Sequence, residues 1–262
     1  MADAKIVLIT GANTGIGYQV VRTLYSADQP YHVLVGARSL SKAQEAITAI
    51  RTELTSSSNK LTPLVVDIED DESIQQAYDE VQAQFGRLDA LVNNAGAQFD
   101  LRAEYSTREA FNKSWNVNVT GTHIITSTFI PLLLQSPSPR LIFVTSGAST
   151  LKGTESRTIP ADRVPPAGWP KAAPSGAAYR SSKTGLNMLM RQWDRILTND
   201  GVKVFAISPG MLATNLTGTP EAMRKMGAGD PAVAGPLFRD VLEGKRDADV
   251  GMVVNKDGVQ PW

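Results

Sequence analysis

Seven short runs rich in Val, Ile and Leu are spaced along the 262 residues, at Lys5 to Thr10, His32 to Ala37, Leu64 to Asp67, Ala90 to Asn93, Leu141 to Thr145, Val202 to Ile207 and Gly251 to Val254. The longer segments between them carry apolar residues at the helical period: Ile16, Val20, Val21 and Leu24, then Ala43, Ile47, Ile50 and Leu54, then Ile74, Tyr78, Val81 and Phe85. A strand that is apolar at every position must be covered on both faces, and each helix offers one apolar stripe to cover it. The alternation predicts a seven-stranded parallel sheet with crossover helices on both sides. That is a doubly wound, Rossmann-type α/β domain, which binds ligands beyond the carboxyl ends of its strands. With 42% hydrophobic residues the chain can fill such a core, and residues 1–262 read as one domain.

Composition narrows the chemistry. The absence of cysteine excludes disulfide frameworks, zinc ribbons, iron–sulfur clusters and thiol nucleophiles. His32 and His123 lie far apart in sequence with no spaced ligand set around them, so no metal site is expected. Twenty-six basic residues balance twenty-six acidic ones, leaving no bulk field for nucleic acid or an acidic membrane, and a small-molecule partner is expected. The apolar run from Ile6 to Ile9 is too short for a signal peptide, which points to the cytoplasm. The stretch from Phe129 to Leu134 is far below the roughly 20 residues that span a bilayer.

One segment breaks the rhythm. From Gly147 to Gly176 the chain holds five of its fifteen prolines and no helical or strand period. It reads as a Pro-rich insertion on the sheet's edge, packed as a lid because Trp169 and Ile159 give it something to bury.

The first strand runs directly into Thr10-Gly11-Ala12-Asn13-Thr14-Gly15-Ile16-Gly17 and then a helix. Glycines on a strand-to-helix turn let backbone N–H groups and the positive end of the helix approach a pyrophosphate; the plainer alternative is an ordinary Gly-rich turn. Such folds place an acidic residue about 20 positions further on to bind the adenosine ribose. Here Ala37 and Arg38 stand there, and no Asp or Glu occurs from Gln29 to Gln44. Arg38, Ser39 and Lys42 offer donors for a 2′-phosphate, which favours NADP over NAD, unless Arg38 is only a solvated loop charge. Asp67 could accept from the adenine amine or simply cap a strand end.

Tyr179 and Lys183 lie four residues apart, hence on one face of a helix beginning near Ser175. Ser146 closes the fifth strand and Asn118 lies on the helix before it, so both can converge on the strand-end crevice.

With Asn93-Asn94-Ala95-Gly96, Asn116-Val117-Asn118-Val119-Thr120-Gly121, Val144-Thr145-Ser146 and Ser208-Pro209-Gly210-Met211-Leu212-Ala213-Thr214, these stretches resemble, in order, six motifs of the short-chain dehydrogenases/reductases, over almost the whole chain. The resemblance implies a catalytic tetrad of Asn118, Ser146, Tyr179 and Lys183 beside NADPH. In it Tyr179 protonates the substrate oxygen as hydride reaches the carbon, and Ser146 holds that oxygen. Lys183 favours the phenolate and binds the nicotinamide ribose, and Asn118 anchors a water that relays protons to it. Bringing a tyrosine from about pH 10 to neutrality takes roughly 4 kcal/mol, and the Lys183 charge is the natural source. The resemblance also assigns Gly11, Asn13, Thr14, Gly15, Ile16, Gly17, Asn93, Ala95, Gly96, Pro209, Gly210 and Thr214 to the cofactor.

The long interval from Ser146 to Tyr179, Gly168-Trp169-Pro170 and the final Trp262 are similar to the carbonyl reductases of this family. They imply reduction of a carbonyl on a fairly bulky compound, with Trp169 and Met211 at the substrate and residues 211–230 closing over it. Pro165-Pro166-Ala167-Gly168-Trp169 is also similar to fungal alkaloid-pathway reductases, which leaves an imine reductase or cyclase of secondary metabolism as an alternative. A non-catalytic NADPH-binding sensor is the other. Family members usually pair through helices near the insertion, so monomer and homo-oligomer both stay open. Trp115 and Trp193 read as core or contact residues.

Overall fold

The computed structural model describes residues 4–157, 162–171 and 176–262. Seven parallel strands lie where the apolar runs are: β1 (Lys5–Ile9), β2 (Tyr31–Ala37), β3 (Lys60–Val65), β4 (Ala90–Asn93), β5 (Arg140–Val144), β6 (Lys203–Ile207) and β7 (Val253–Asn255). An eighth, β8 (Gly258–Gln260), turns back antiparallel on β7, giving the order β3-β2-β1-β4-β5-β6-β7-β8. The seven-strand expectation therefore falls one short. With three residues, β8 has no readable period. β3 also starts earlier than expected, because Pro63 interrupts its apolar run. As the outermost strand β3 has a free side, where a residue without an N–H is tolerated.

Helices cover both faces. On one side α1 (Gly15–Tyr25), α2 (Leu40–Glu53) and α9 (Ala234–Leu242) bury Val20, Leu24, Ile47, Ile50, Phe238 and Val241 against the sheet. On the other, α3 (Asp71–Phe85), α4 (Thr107–Trp115), α5 (Thr122–Leu133) and α7 (Ala177–Leu197) bury Ile74, Val81, Phe129, Leu186 and Met190. Trp193 is buried in this layer, whereas Trp115 is 40% exposed and lies over Gly185 of α7. Among the described residues no helix is long and apolar enough to cross a membrane.

Two features correct the aperiodic reading of residues 147–176. A short helix, α6 (Leu151–Glu155), stands within the segment. The segment also leaves from β5, which lies inside the sheet, so it rises from a central strand and not from the edge. Trp169 is 86% exposed and does not supply the packing expected of it; Ile159 lies outside the described residues. A further short helix, α8 (Pro220–Lys225), follows β6 and buries Met223 against Ala213 and Ala228.

Between α4 and α5 the chain makes one turn of π-helix, Asn116–Gly121, a feature frequent at functional sites. Gly121 allows it to press on the turn after β3, where any Cβ would run into the Ile68 carbonyl oxygen. Gly121→Ala is expected to cost about 1–3 kcal/mol of stability, seen as a lower denaturant midpoint.

Candidate active site

The strand order reverses between β1 and β4, which opens a crevice at their carboxyl ends. On one wall is the glycine turn. Gly11 (φ +60°) and Gly15 (φ +58°) are left-handed, and a Cβ on Gly17 would stand 2.5 Å from Asn94 Nδ2 and 2.7 Å from the Gly11 carbonyl oxygen. α1 begins without a side-chain cap and has no acid in its first turn, so its orphan N–H groups and positive end stay unneutralised. A pyrophosphate fits that donor set. Asn13 and Ile16 are half-buried on the turn and Thr14 is exposed. Thr214, from beyond β6, packs its methyl toward Gly15, where a Cβ would meet it at 3.4 Å.

Arg38 is exposed immediately after β2, followed by Ser39, whose Oγ lies 2.8 Å from Ser41 Oγ. The first turn of α2, which includes the exposed Lys42, also holds no acid, so the positive end of that helix stays unneutralised. Asp67 Oδ1 accepts from the Glu69 N–H at 3.0 Å, the bond of a strand-end turn.

The loop leaving β4 forms the other wall. Asn93 is turned inward, donating to Thr126 Oγ1 at 2.8 Å. Its neighbour Asn94, which sequence reasoning passed over, donates to the Thr10 and Gly11 carbonyls at 2.8 and 3.1 Å and so shapes the glycine turn. Thr10 Oγ1 accepts from the Asn94 and Ala95 N–H groups. Gly96 faces the reacting end: a Cβ there would stand 3.0 Å from Asn118 Oδ1 and 3.2 Å from Lys183 Nζ. A side chain at this point would press on both groups.

The four tetrad residues converge here. Tyr179 is half-buried beside Ser146, whose Oγ accepts from the Ala148 N–H at 3.1 Å. Lys183 Nζ donates to the Val144 carbonyl at 2.9 Å and stands 5.9 Å from the Tyr179 ring centre. The Asn118 amide donates to the Ala97 carbonyl and Ser182 Oγ, both at 2.9 Å, while Oδ1 accepts from the Ala97 N–H. That leaves one lone pair on Oδ1 for a water.

Burial dominates the charges. It pushes the Tyr179 phenol above its ordinary value, with the Ser146 hydrogen bond pulling the other way. It pushes the Lys183 ammonium down to about 8. The expected lowering of the phenol by Lys183 is absent in the protein alone, where burial and Ser146 are the causes of the shift, and Tyr179 keeps its proton at neutral pH.

Other polar groups hold these residues in place, and of them only Trp262 was singled out in the sequence. Thr145, Ser149 and Asn187 form a buried hydrogen-bonded cluster that ties the turn after β5 to α7. Gln260 Nε2 donates to the Ser146 carbonyl at 3.3 Å, and the Trp262 carbonyl accepts from Thr150 and Lys152. Arg180 pairs with Asp162 at 2.6 Å. Thr145 stands in the Val144-Thr145-Ser146 stretch, but Ser149, Asn187 and Gln260 carry no motif, and only the fold brings them together. Of the expected substrate residues, Trp169 is 86% and Met211 53% exposed, while Pro209 and Gly210 lie on the turn after β6.

The model of the short chain dehydrogenase family matches residues 5–158 and 167–225. The chain is 45% identical to the short-chain dehydrogenase/reductase eupG of a Phoma species, covering 98% of this chain and 97% of that one. It is 44% identical to the short-chain dehydrogenase/reductase tropE of Talaromyces stipitatus, covering 100% and 99%. Among solved structures, the NADPH-bound carbonyl reductase from chicken fatty liver superposes over the whole of both chains with a TM-score of 0.80 at 23% identity, a likeness of fold.

The buried ammonium has a stability consequence. The folded chain binds the Lys183 proton less tightly than the unfolded chain, so burial costs stability in full below pH about 8. The cost fades as pH rises toward the ordinary lysine value of 10.5. In the cofactor-free protein Lys183→Met is expected to gain about 2 kcal/mol at pH 7, the desolvation cost of roughly 3 kcal/mol less about 1 kcal/mol for the bond to Val144. Denaturant unfolding at pH 7 and pH 10 should show the difference shrinking at the higher pH.

Proposed function

The chain belongs to the short-chain dehydrogenase/reductase family, and from that premise we propose that it uses NADPH to reduce a carbonyl on a fairly bulky small molecule to an alcohol. The observation that supports this most directly is the half-buried Tyr179 beside Ser146, with Lys183 on the same helix face 5.9 Å from the ring centre. NADPH, when bound, supplies the hydride.

The chain's own residues do the rest. The glycine turn and the N-terminus of α1 hold the pyrophosphate, Arg38 and Lys42 the 2′-phosphate, and Gly96 with Lys183 the nicotinamide ribose. Tyr179 donates its proton to the substrate oxygen, and Ser146 Oγ, already within reach of the phenol, gives that oxygen a second hydrogen bond. Lys183, with its affinity for the proton lowered to about pH 8, can give one up and regain it near neutrality, which suits the resupply of Tyr179.

NADPH consumption across bulky ketones, aldehydes, quinones and cyclic imines tests the reading. At least one carbonyl compound should be reduced, and Tyr179→Phe should lower kcat by about a hundredfold or more. Conversion without stoichiometric NADPH oxidation would favour a cyclase, and NADPH binding with no turnover a sensor. Cofactor choice is tested by fluorescence titration: Arg38→Asp should shift the NADPH-to-NADH affinity ratio toward NADH by about tenfold or more. An unchanged ratio removes Arg38 from the phosphate site.

A further inference from the structure

Helix α7 carries both Tyr179 and Lys183, and the residue at its N-cap position makes no side-chain cap bond. Gly176 precedes it in the left-handed conformation, φ +61°, and offers no side chain. The N–H groups of Ala178 and Tyr179 fall in the first turn, where an α-helix provides no acceptor. One carboxylate from a distant loop takes both: Asp100 Oδ1 accepts from Ala178 at 2.8 Å and Oδ2 from Tyr179 at 2.9 Å.

We propose that Asp100 is a positioning residue for the proton donor, setting where the first turn of α7, and with it the Tyr179 phenol, stands in the crevice. The proposal rests on the reading of Tyr179 as the general acid. A single hydrogen bond would leave the helix end free to swing about it; two bonds to the two oxygens of one carboxylate fix its direction as well as its distance. Both are charge-assisted and lie at the positive end of a helix, so they are among the stronger bonds available to a half-buried side chain.

The loop that bears Asp100 is itself fixed at both walls of the site. Ala95 N–H donates to Thr10 Oγ1, and both backbone groups of Ala97 are bound to the Asn118 side chain. Asp100 thus references the Tyr179 turn to the same few residues that shape the cofactor crevice. Its effect is geometric. The shift of the Tyr179 phenol arises from burial and from Ser146, with no contribution from the Asp100 charge.

Two substitutions separate positioning from folding. Asp100→Asn keeps the size but offers one acceptor oxygen, and its NH2 meets the second N–H donor to donor. Asp100→Ala removes both acceptors. The best carbonyl substrate of the panel is assayed with kcat expressed per NADPH-binding site, beside Tyr179→Phe. Asp100→Asn should lower kcat by about tenfold and Asp100→Ala by up to about a hundredfold, the scale of a small misplacement at a reacting centre. The NADPH Kd should stay within about twofold. The solvent isotope effect on kcat should rise as proton transfer slows. In the cofactor-free protein, amide exchange at Ala178 and Tyr179 should quicken.

A role in folding alone would lower the count of NADPH-binding sites while leaving kcat per site and the isotope effect at wild-type values, and that result overturns the proposal. Should Asp100→Ala fail to fold, Asp100→Asn decides by the same readouts. If Tyr179→Phe retains wild-type turnover, the general-acid reading falls and this proposal with it. If Tyr179→Phe is inactive while both Asp100 variants match wild type, only the positioning role is overturned.

Discussion

Asn94, Ala95, Ala97 and Asp100 lie within seven consecutive residues after β4, and they bind the glycine turn, Asn118 and the start of α7. The reversal of strand order between β1 and β4 creates the crevice, but it also separates the turn that would hold the cofactor from the helix that bears Tyr179. The sheet alone joins them only through their roots. The loop after β4 spans the gap at the level where chemistry takes place, mostly through backbone groups whose directions are set by planar peptides. Gly96 has no side chain in the middle of this bridge because Asn118 Oδ1 and Lys183 Nζ already press on that point.

The cost of this arrangement falls on Lys183 and Tyr179. A buried ammonium that donates to the Val144 carbonyl and a half-buried phenol beside a serine are both held toward their neutral forms by burial. A fold selected only for stability would fill the place of Lys183 with an apolar side chain. Its retention is understandable if the groups that compensate the charge arrive with a ligand, since the crevice beside Gly96 is where they would come. Stability and chemistry pull in opposite directions at this one residue, and the surrounding hydrogen bonds hold the geometry against that pull.

How much of this could be read from sequence follows from the range of each interaction. The seven parallel strands and their helices were legible because burial on two faces writes continuous apolar runs, and Pro63 hid half of β3 because it broke one. The residues that meet at the crevice were legible as types and spacing: Tyr179 and Lys183 share a helix face by the helical period alone. Asp100, by contrast, meets its partners across almost eighty positions, and no local pattern marks an aspartate as the cap of a helix it does not belong to. Thr145, Ser149 and Asn187 form a cluster for the same kind of reason. The packing expected of Trp169 failed because an aromatic residue in a Pro-rich stretch signals capacity to bury area, not the presence of a surface to bury it on.

That last point separates the two halves of the site. On the cofactor side, glycine turns and helix ends define the shape with backbone atoms, so the geometry follows from a few residue types. On the far side, the described parts of residues 147–176 and 211–230 present side chains such as Trp169, Met211 and Met226, all more than half exposed. Exposed apolar area stabilises nothing until something covers it: a ligand hiding about 100 Å² of an indole would gain roughly 2.5 kcal/mol. Recognition built this way depends on the area and shape of the ligand more than on paired hydrogen bonds. Methionines, unbranched and with three rotatable bonds, adapt readily to irregular apolar shapes. Under the proposed reduction, a mouth built from such side chains would discriminate weakly between compounds that differ by a methylene, and the position of the carbonyl relative to Tyr179 and Ser146 would be the sharper filter.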